Sequence, residues 1–172
     1  YKRQVPSKPS PSQPTSDKPT PFSSCAVFPK DHVWNTPIDC LPADPNSQTF
    51  VNTIGSTAGL HPDFGSGTWN GGPIGIPFVQ VPGSQQKYPV TFNYYSESDP
   101  GPYAVPLNAP IEGGSSSTGD RHALAIDVDN CLLYELYAAY PDTVNLDWSA
   151  GSGAIFNLTS YTLRPADWTS AD

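Results

Sequence analysis

The segment GDRHALAIDVDNCLLYELYAAY, Gly119 to Tyr140, decides the fold of this chain because it contains two apolar runs separated by a short polar turn. Asp129 and Asn130 tolerate the positive φ angles of a tight two-residue turn. Each run also has the length and the apolar content of a β-strand. The segment therefore predicts a β-hairpin with a type I′ turn at Asp129 and Asn130.

The register of this hairpin follows from the turn. If Val128 faces Cys131, the antiparallel pairs are Ile126 with Leu133, Leu124 with Glu135, and His122 with Tyr137. His122 and Glu135 then become diagonal neighbours on one face of the sheet. The opposite face is also largely apolar, so both strands are expected to be central strands covered on both sides.

A cluster of polar side chains lies at the open end of the predicted hairpin. We predict that Glu135 is a general acid or base, that His122 is its partner, and that Tyr137 and Arg121 orient the substrate. The alternative is that His122 and Glu135 hydrogen-bond each other as a satisfied buried pair without catalytic function.

A loop rich in glycine and proline, residues 59–75, is expected to line the same cleft. His61, Asp63 and Trp69 are its candidate substrate-binding residues, with Trp69 as a stacking platform for sugars. His-Pro-Asp is also a common turn composition, and Trp69 could equally fill the core. No cofactor is expected, although His61, His122 and a carboxylate could hold a single metal ion as a minor alternative.

The chain divides into two regions by composition. Residues 1–24 contain frequent proline among Ser, Thr and Lys with no apolar periodicity, which predicts a disordered linker. Residues 25–172 form the expected folded domain. Within it, Asp44-Pro45-Asn46 predicts the start of one short helix that ends at Gly55.

Short strand signals separated by long loops indicate the fold class. The runs 76–81 and 88–95 suggest a second hairpin, and AIFNL near the end of the chain suggests a last strand. Proline and glycine account for 21 and 14 of the 172 residues, which disfavours long helices. We predict a mainly β domain, an antiparallel β-sandwich or jelly-roll-like fold, with one short helix and long Pro/Gly loops.

The charge of the chain limits its partners. Its formal net charge is −8, and the predicted linker holds four of the eight basic residues but only one of the sixteen acidic ones. Nucleic acids and anionic membranes are disfavoured as partners because both attract clustered Lys and Arg. A neutral polysaccharide or other glycan remains a suitable partner.

In an exported protein, the three cysteines predict one disulfide. Cys25 and Cys40 are close in sequence, and closing their loop of about 16 residues would stabilise the fold by roughly 3 kcal/mol. We therefore predict a Cys25–Cys40 bond, which leaves Cys131 either free and buried or paired outside this chain. Asn157 begins the sequon Asn-Leu-Thr and is a candidate glycosylation site.

Several runs in the domain carry a resemblance to a known group of proteins. They are HPDFGSG, PIGIP, VPGSQ, ESDPGPY, APIEGG, GDRH, LYELY and WTSAD. From about Phe28 to Asp172 the chain resembles a family of exported, mostly hypothetical microbial proteins that has no established activity. In those proteins the chain continues past the WTSAD run, which implies that a C-terminal second half of the same precursor could be a partner.

Together these features predict an extracellular, secreted protein that acts on carbohydrate. The leading hypothesis is a hydrolase or lyase that cleaves a polysaccharide or cell-wall material through the His122 and Glu135 pair. The alternative is a non-catalytic carbohydrate-binding or surface-structural module. The sequence lacks GxSxG, HExxH, CxxC and phosphate-binding glycine motifs, so elbow-type serine hydrolases, zincins, thiol redox proteins and nucleotide enzymes are disfavoured.

Overall fold

The computed structural model describes residues 25–59 and 75–168, together with the backbone of two short paired strands, β1 (Thr68–Trp69) and β2 (Gly72–Pro73). The predicted linker, residues 1–24, lies outside the described residues. Within the described part, no helix combines the length and the apolar character needed to cross a bilayer.

Seven further strands form two sheets that pack against each other. They are β3 (Phe78–Val81), β4 (Val90–Phe92), β5 (Ala123–Asp127), β6 (Leu132–Tyr137), β7 (Tyr140–Asp142), β8 (Asp147–Ala150) and β9 (Ser152–Asn157). The larger sheet has the order β3-β5-β6-β9 and the smaller sheet the order β4-β8-β7. The prediction of a mainly β, sandwich-like domain is confirmed.

Each sheet contains one parallel pair, whereas the sequence pattern predicted antiparallel sheets. Strand β3 pairs parallel with β5, and β4 pairs parallel with β8. The predicted hairpin between 76–81 and 88–95 is therefore wrong, because its two strands belong to different sheets. Val81 and Phe92 both enter the core, each from its own sheet. Alternation along a strand identifies its buried face but not the sheet that contains it.

The hairpin β5–β6 has the predicted register. Leu124 lies opposite Glu135 and Ile126 lies opposite Leu133. The turn is longer than predicted, because the strands end at Asp127 and resume at Leu132, and the positive φ of 52° is at Cys131 instead of Asp129 or Asn130.

The side chain of Asp127 explains this longer turn. Its carboxylate accepts from the backbone N of Asp129 at 3.1 Å, from the backbone N of Asn130 at 2.9 Å and from Asn130 Nδ2 at 2.8 Å. Asp127 is only 1% exposed, so these bonds satisfy a buried charge. They also fix a compact loop of residues 128–131, with Cys131 in the left-handed conformation.

The hairpin β7–β8 repeats the same turn and was missed by the sequence analysis. Asp142 accepts from the backbone N of Val144 and Asn145, each at 2.8 Å, and Leu146 has a φ of 57°. The backbone bonds from Asn145 and Val144 hold the pKa of the Asp142 carboxyl below its usual range. The spacing Asp-x-x-Asn, shared with Asp127 and Asn130, is the signal that identifies this second hairpin.

The core between the sheets includes an irregular segment as well as strands. Tyr103 and Val105 are fully buried although they lie outside every strand, and Trp148 Nε1 donates to the carbonyl oxygen of Val105 at 3.1 Å. Burial raises the pKa of the Tyr103 hydroxyl, which donates to the carbonyl oxygen of Asp99. A Cβ at Gly153 would come within 2.6 Å of the Tyr103 hydroxyl, so this position requires glycine.

The predicted helix is present as α1 (Ser47–Ile54). It begins after Asn46, whose backbone N donates to Asp44 Oδ1 at 2.7 Å, and it ends at Gly55, which has a φ of 106°. None of its residues is buried. The helix therefore lies on the surface and does not contribute to the core.

The predicted Cys25–Cys40 disulfide is wrong. Cys25 is bonded to Cys131, with 5.4 Å between the two Cα atoms, and Cys40 is free and exposed. The sulfur of Cys25 lies 3.1 Å from the carbonyl oxygen of Val128, so the start of the domain is attached to the β5–β6 turn. Proximity in sequence suggested Cys40 as the partner of Cys25. In the structure, the left-handed turn at Cys131 brings the Cys131 side chain to Cys25 instead.

This bond should dominate the stability of the domain. It links residues separated by 106 positions, and a loop of that order corresponds to about 4–5 kcal/mol in the chain-entropy model. Replacing Cys25 and Cys131 together by Ser should lower the free energy of unfolding by about that amount, as measured by urea unfolding. The matched control Cys40→Ser should change it by no more than about 0.5 kcal/mol. Equal losses in both proteins would contradict the observed pairing.

Candidate functional site

A histidine and a carboxylate meet at the end of the larger sheet, where β5 begins. His122 Nδ1 lies 2.7 Å from Glu112 Oε2, and the His122 backbone N also donates to that oxygen at 3.3 Å. The backbone N of Glu112 donates in return to the carbonyl oxygen of His122 at 2.9 Å. These bonds close the loop 112–122 at both of its ends.

The bond to Glu112 sets the chemistry of the imidazole. Because an ionised carboxylate can only accept, this contact favours the neutral tautomer in which Nδ1 donates its proton and Nε2 keeps its lone pair. His122 is only 6% exposed, so the ring is held in one orientation by its surroundings. A histidine oriented in this way by a carboxylate is suited to accept or return a proton through Nε2.

Arg121 holds the same loop from inside. Its Nη1 donates to the carbonyl oxygens of Ser115 and Ser117, both at 2.9 Å, and its Nε donates to that of Ala139 at 3.2 Å. The guanidinium also lies 4.2 Å from the ring centroid of Tyr140. Arg121 is 4% exposed, and its contacts are those of a residue that positions the loop. The role of Arg121 in orienting substrate stays a prediction.

The outward face of the larger sheet continues the polar cluster. The ring of Tyr137 lies 5.6 Å from that of His122 between centroids, and Ser152 in β9 is the strand partner of Tyr137. Glu135 lies on the same face, opposite Ala154, and is 8% exposed. The sheet therefore places His122, Tyr137, Ser152 and Glu135 on one face, at the same end of the strands.

Ser152 contributes a buried hydroxyl to this cluster. It is 1% exposed, and its Oγ has no hydrogen-bond partner among the described residues. A buried hydroxyl without a partner is uncommon in native proteins and usually has a reason. The sequence analysis missed Ser152 because a serine in a Gly/Ser-rich stretch carries no distinctive signal.

The sequence analysis also missed Glu112, the residue that contacts His122. It assigned Glu135 to that position because the hairpin register makes Glu135 a diagonal neighbour. Glu112 comes instead from the far end of the loop 112–122, ten residues away in sequence. The only local signal is a carboxylate followed by glycine and serine residues that allow the chain to fold back.

Several predicted site residues lie outside the described part. His61 and Asp63 are outside it, and for Trp69 only the backbone in β1 is described. Within residues 25–59 and 75–168, no cluster of three or more His, Cys, Asp or Glu side chains could hold a metal ion. The roles of His61, Asp63 and Trp69 in substrate binding stay predictions.

The predicted glycosylation site lies at the end of β9. Asn157 is exposed, and its Oδ1 accepts from the Thr159 backbone N at 2.9 Å and from the Thr159 hydroxyl at 2.7 Å. The sequon therefore forms a surface turn. Modification of Asn157 stays a prediction.

Comparison with known proteins adds no further assignment. No protein-family model, curated protein or solved structure matches this chain at a significant level.

The contacts of Arg121 generate a prediction about the loop 112–122. Arg121→Ala removes three donors to backbone carbonyls, so amides in residues 113–119 should exchange with deuterium at least about tenfold faster while those of β5 and β6 remain protected. Arg121→Lys should restore little of the lost amide protection, because an ammonium group lacks the planar fork that reaches several carbonyl oxygens at once. Unchanged exchange in the Ala variant, measured by mass spectrometry, would contradict this role.

Proposed function

We propose that this protein is an extracellular hydrolase that cleaves a neutral polysaccharide, with His122 as its general base. The observation that supports this most is the 2.7 Å contact between His122 Nδ1 and Glu112 Oε2 on a ring that is 6% exposed. It leaves one imidazole nitrogen available for proton transfer at a fixed position on a sheet face with further polar groups.

The proposed reaction uses two groups of this cluster. His122 Nε2 takes a proton from water while the water oxygen forms a bond to the anomeric carbon. The glycosidic bond breaks, and the leaving oxygen receives a proton from Glu135, the buried carboxyl on the same face. Glu112 holds the imidazole and stabilises its protonated form. Tyr137, the half-buried neighbour of His122, is proposed to contact the sugar.

The charge of the chain favours hydrolysis of a neutral polymer over elimination from an acidic one. A lyase removes a proton next to a carboxylate of a uronate sugar, so its substrate is a polyanion. With fifteen acidic and four basic residues outside the first 24 positions, the domain would repel such a polymer. A neutral glycan meets no such repulsion.

The disulfide is the support for an extracellular location. A bond between Cys25 and Cys131 forms and persists in an oxidising environment, and it is rare in cytosolic proteins. Since polysaccharides of cell walls are also found outside the cell membrane, the proposed location and the proposed substrate agree.

The proposal predicts a large loss of activity from single polar substitutions. His122→Gln, Glu112→Gln and Glu135→Gln should each lower kcat on a neutral polysaccharide by about 10²–10⁴-fold, the usual contribution of general acid or base catalysis. The matched control is Asp120→Asn, which removes a carboxylate from the same loop at an exposed position and should retain activity. Released reducing ends are the measurement.

Other results would assign a different function. Retention on an insoluble polysaccharide without release of reducing ends would favour the non-catalytic binding module. Products with an unsaturated end group would favour a lyase. Full activity of Glu135→Gln with loss in His122→Gln would remove Glu135 from the mechanism and leave the His122–Glu112 pair.

A further inference from the structure

Two consecutive tyrosines are exposed at the end of the smaller sheet. Tyr94 is 54% exposed and Tyr95 is 73% exposed, and both lie in the turn that follows β4. Tyr103 and Tyr134, in contrast, are fully buried. Exposed aromatic side chains on a domain surface are typical of binding sites for ligands that have one apolar and one polar side.

The backbone that presents these two rings is held by several hydrogen bonds. The Tyr94 backbone N donates to the carbonyl oxygen of Gly151 at 2.8 Å, and Ser98 Oγ donates to that of Tyr94 at 2.8 Å. Ser98 Oγ also accepts from the Gly153 backbone N at 3.2 Å. The rings therefore project from a preorganised turn, which lowers the entropy lost when a ligand binds.

Arg164 fixes the same turn from the C-terminal segment. Its Nη2 donates to the carbonyl oxygen of Glu97 at 2.7 Å, and its Nη1 pairs with Asp99 Oδ2 at 2.7 Å. Its guanidinium lies 5.2 Å from the ring centroid of Trp168. This pairing also neutralises Asp99, the carboxylate nearest in sequence to the adjoining groove.

An uncharged groove of about 350 Å³ adjoins Tyr95. Its other lining residues include Pro89, Val90, Phe92, Pro100 and Pro102. Apolar walls with an exposed aromatic ring suit the apolar face of a pyranose ring, whereas they offer no countercharge to an ionic ligand.

Backbone hydrogen bonds link this turn to β6 through the buried Gly151. Gly151, which accepts from Tyr94, donates its own backbone N to the carbonyl oxygen of Tyr137 at 2.7 Å. The Tyr137 ring is next to that of His122, at 5.6 Å between centroids.

We infer that Tyr94 and Tyr95 form a glycan-binding platform for neutral polysaccharide chains. This inference rests on the proposed function and extends it, because it explains how an enzyme holds a polymer instead of a single sugar. The platform binds pyranose rings by stacking, and the groove beside Tyr95 accepts the next unit of the chain.

Native electrophoresis in gels containing β-glucan, xyloglucan or galactomannan tests the platform. The disulfide-bonded protein should be retarded by at least one of these polymers, and Tyr94→Ala and Tyr95→Ala should each weaken the affinity roughly tenfold. The matched control is Tyr161→Ala, which removes a 53% exposed tyrosine that instead donates to Asp31. Its retardation should equal that of the wild type.

The platform and the catalytic proposal can fail separately. Retardation lost in the Tyr94 and Tyr95 variants, without release of reducing ends by the wild type, would support the platform and contradict the hydrolase. Cleavage by the wild type with retardation unchanged in both variants would overturn the platform. Binding of a synthetic proline-rich peptide of residues 4–20, lost in Tyr95→Ala while no polysaccharide retards the protein, would also overturn it and assign the groove to a peptide.

Discussion

The register of the β5–β6 hairpin is the constraint on which the rest of the structure depends. Asp127 fixes it by accepting three hydrogen bonds from the loop 128–131 while almost completely buried. A slip of one residue would turn the core residues Tyr134 and Leu136 outward. It would also move Cys131 away from Cys25 and reverse the face that contains Glu135.

The same register assembles the candidate site. His122 immediately precedes β5, and Tyr137 ends β6, so their rings meet where the hairpin opens. Glu112 joins them because the loop 112–122 folds back on itself, with Arg121 bonded to the carbonyl oxygens inside it. The scaffold is thus the end of two central strands together with a short, internally bonded loop, an arrangement that can hold a proton-transfer group in a fixed orientation.

Local sequence signals predicted the local parts of this structure. The pairing of Leu124 with Glu135 followed from two apolar runs and a turn, and α1 followed from the Asp44-Pro45-Asn46 run before it and Gly55 after it. The failures were non-local. The sequence analysis did not find the partner of Cys25 or of His122, or the sheet to which β3 or β4 belongs. These depend on where the loops bring distant segments together, which composition does not specify. The missed β7–β8 hairpin is the exception among these failures, because its turn has the same local Asp-x-x-Asn pattern as the turn of the β5–β6 hairpin.

The measurement that tests the account most directly is the protonation of the two His122 ring nitrogens, read by long-range ¹H–¹⁵N NMR correlations at a pH where the ring is neutral. The account predicts that Nδ1 carries the proton and Nε2 does not, and that Glu112→Ala abolishes this preference. A neutral ring protonated at Nε2, with the same signals in wild type and Glu112→Ala, would contradict it. The base proposed for catalysis would then have no lone pair directed away from Glu112.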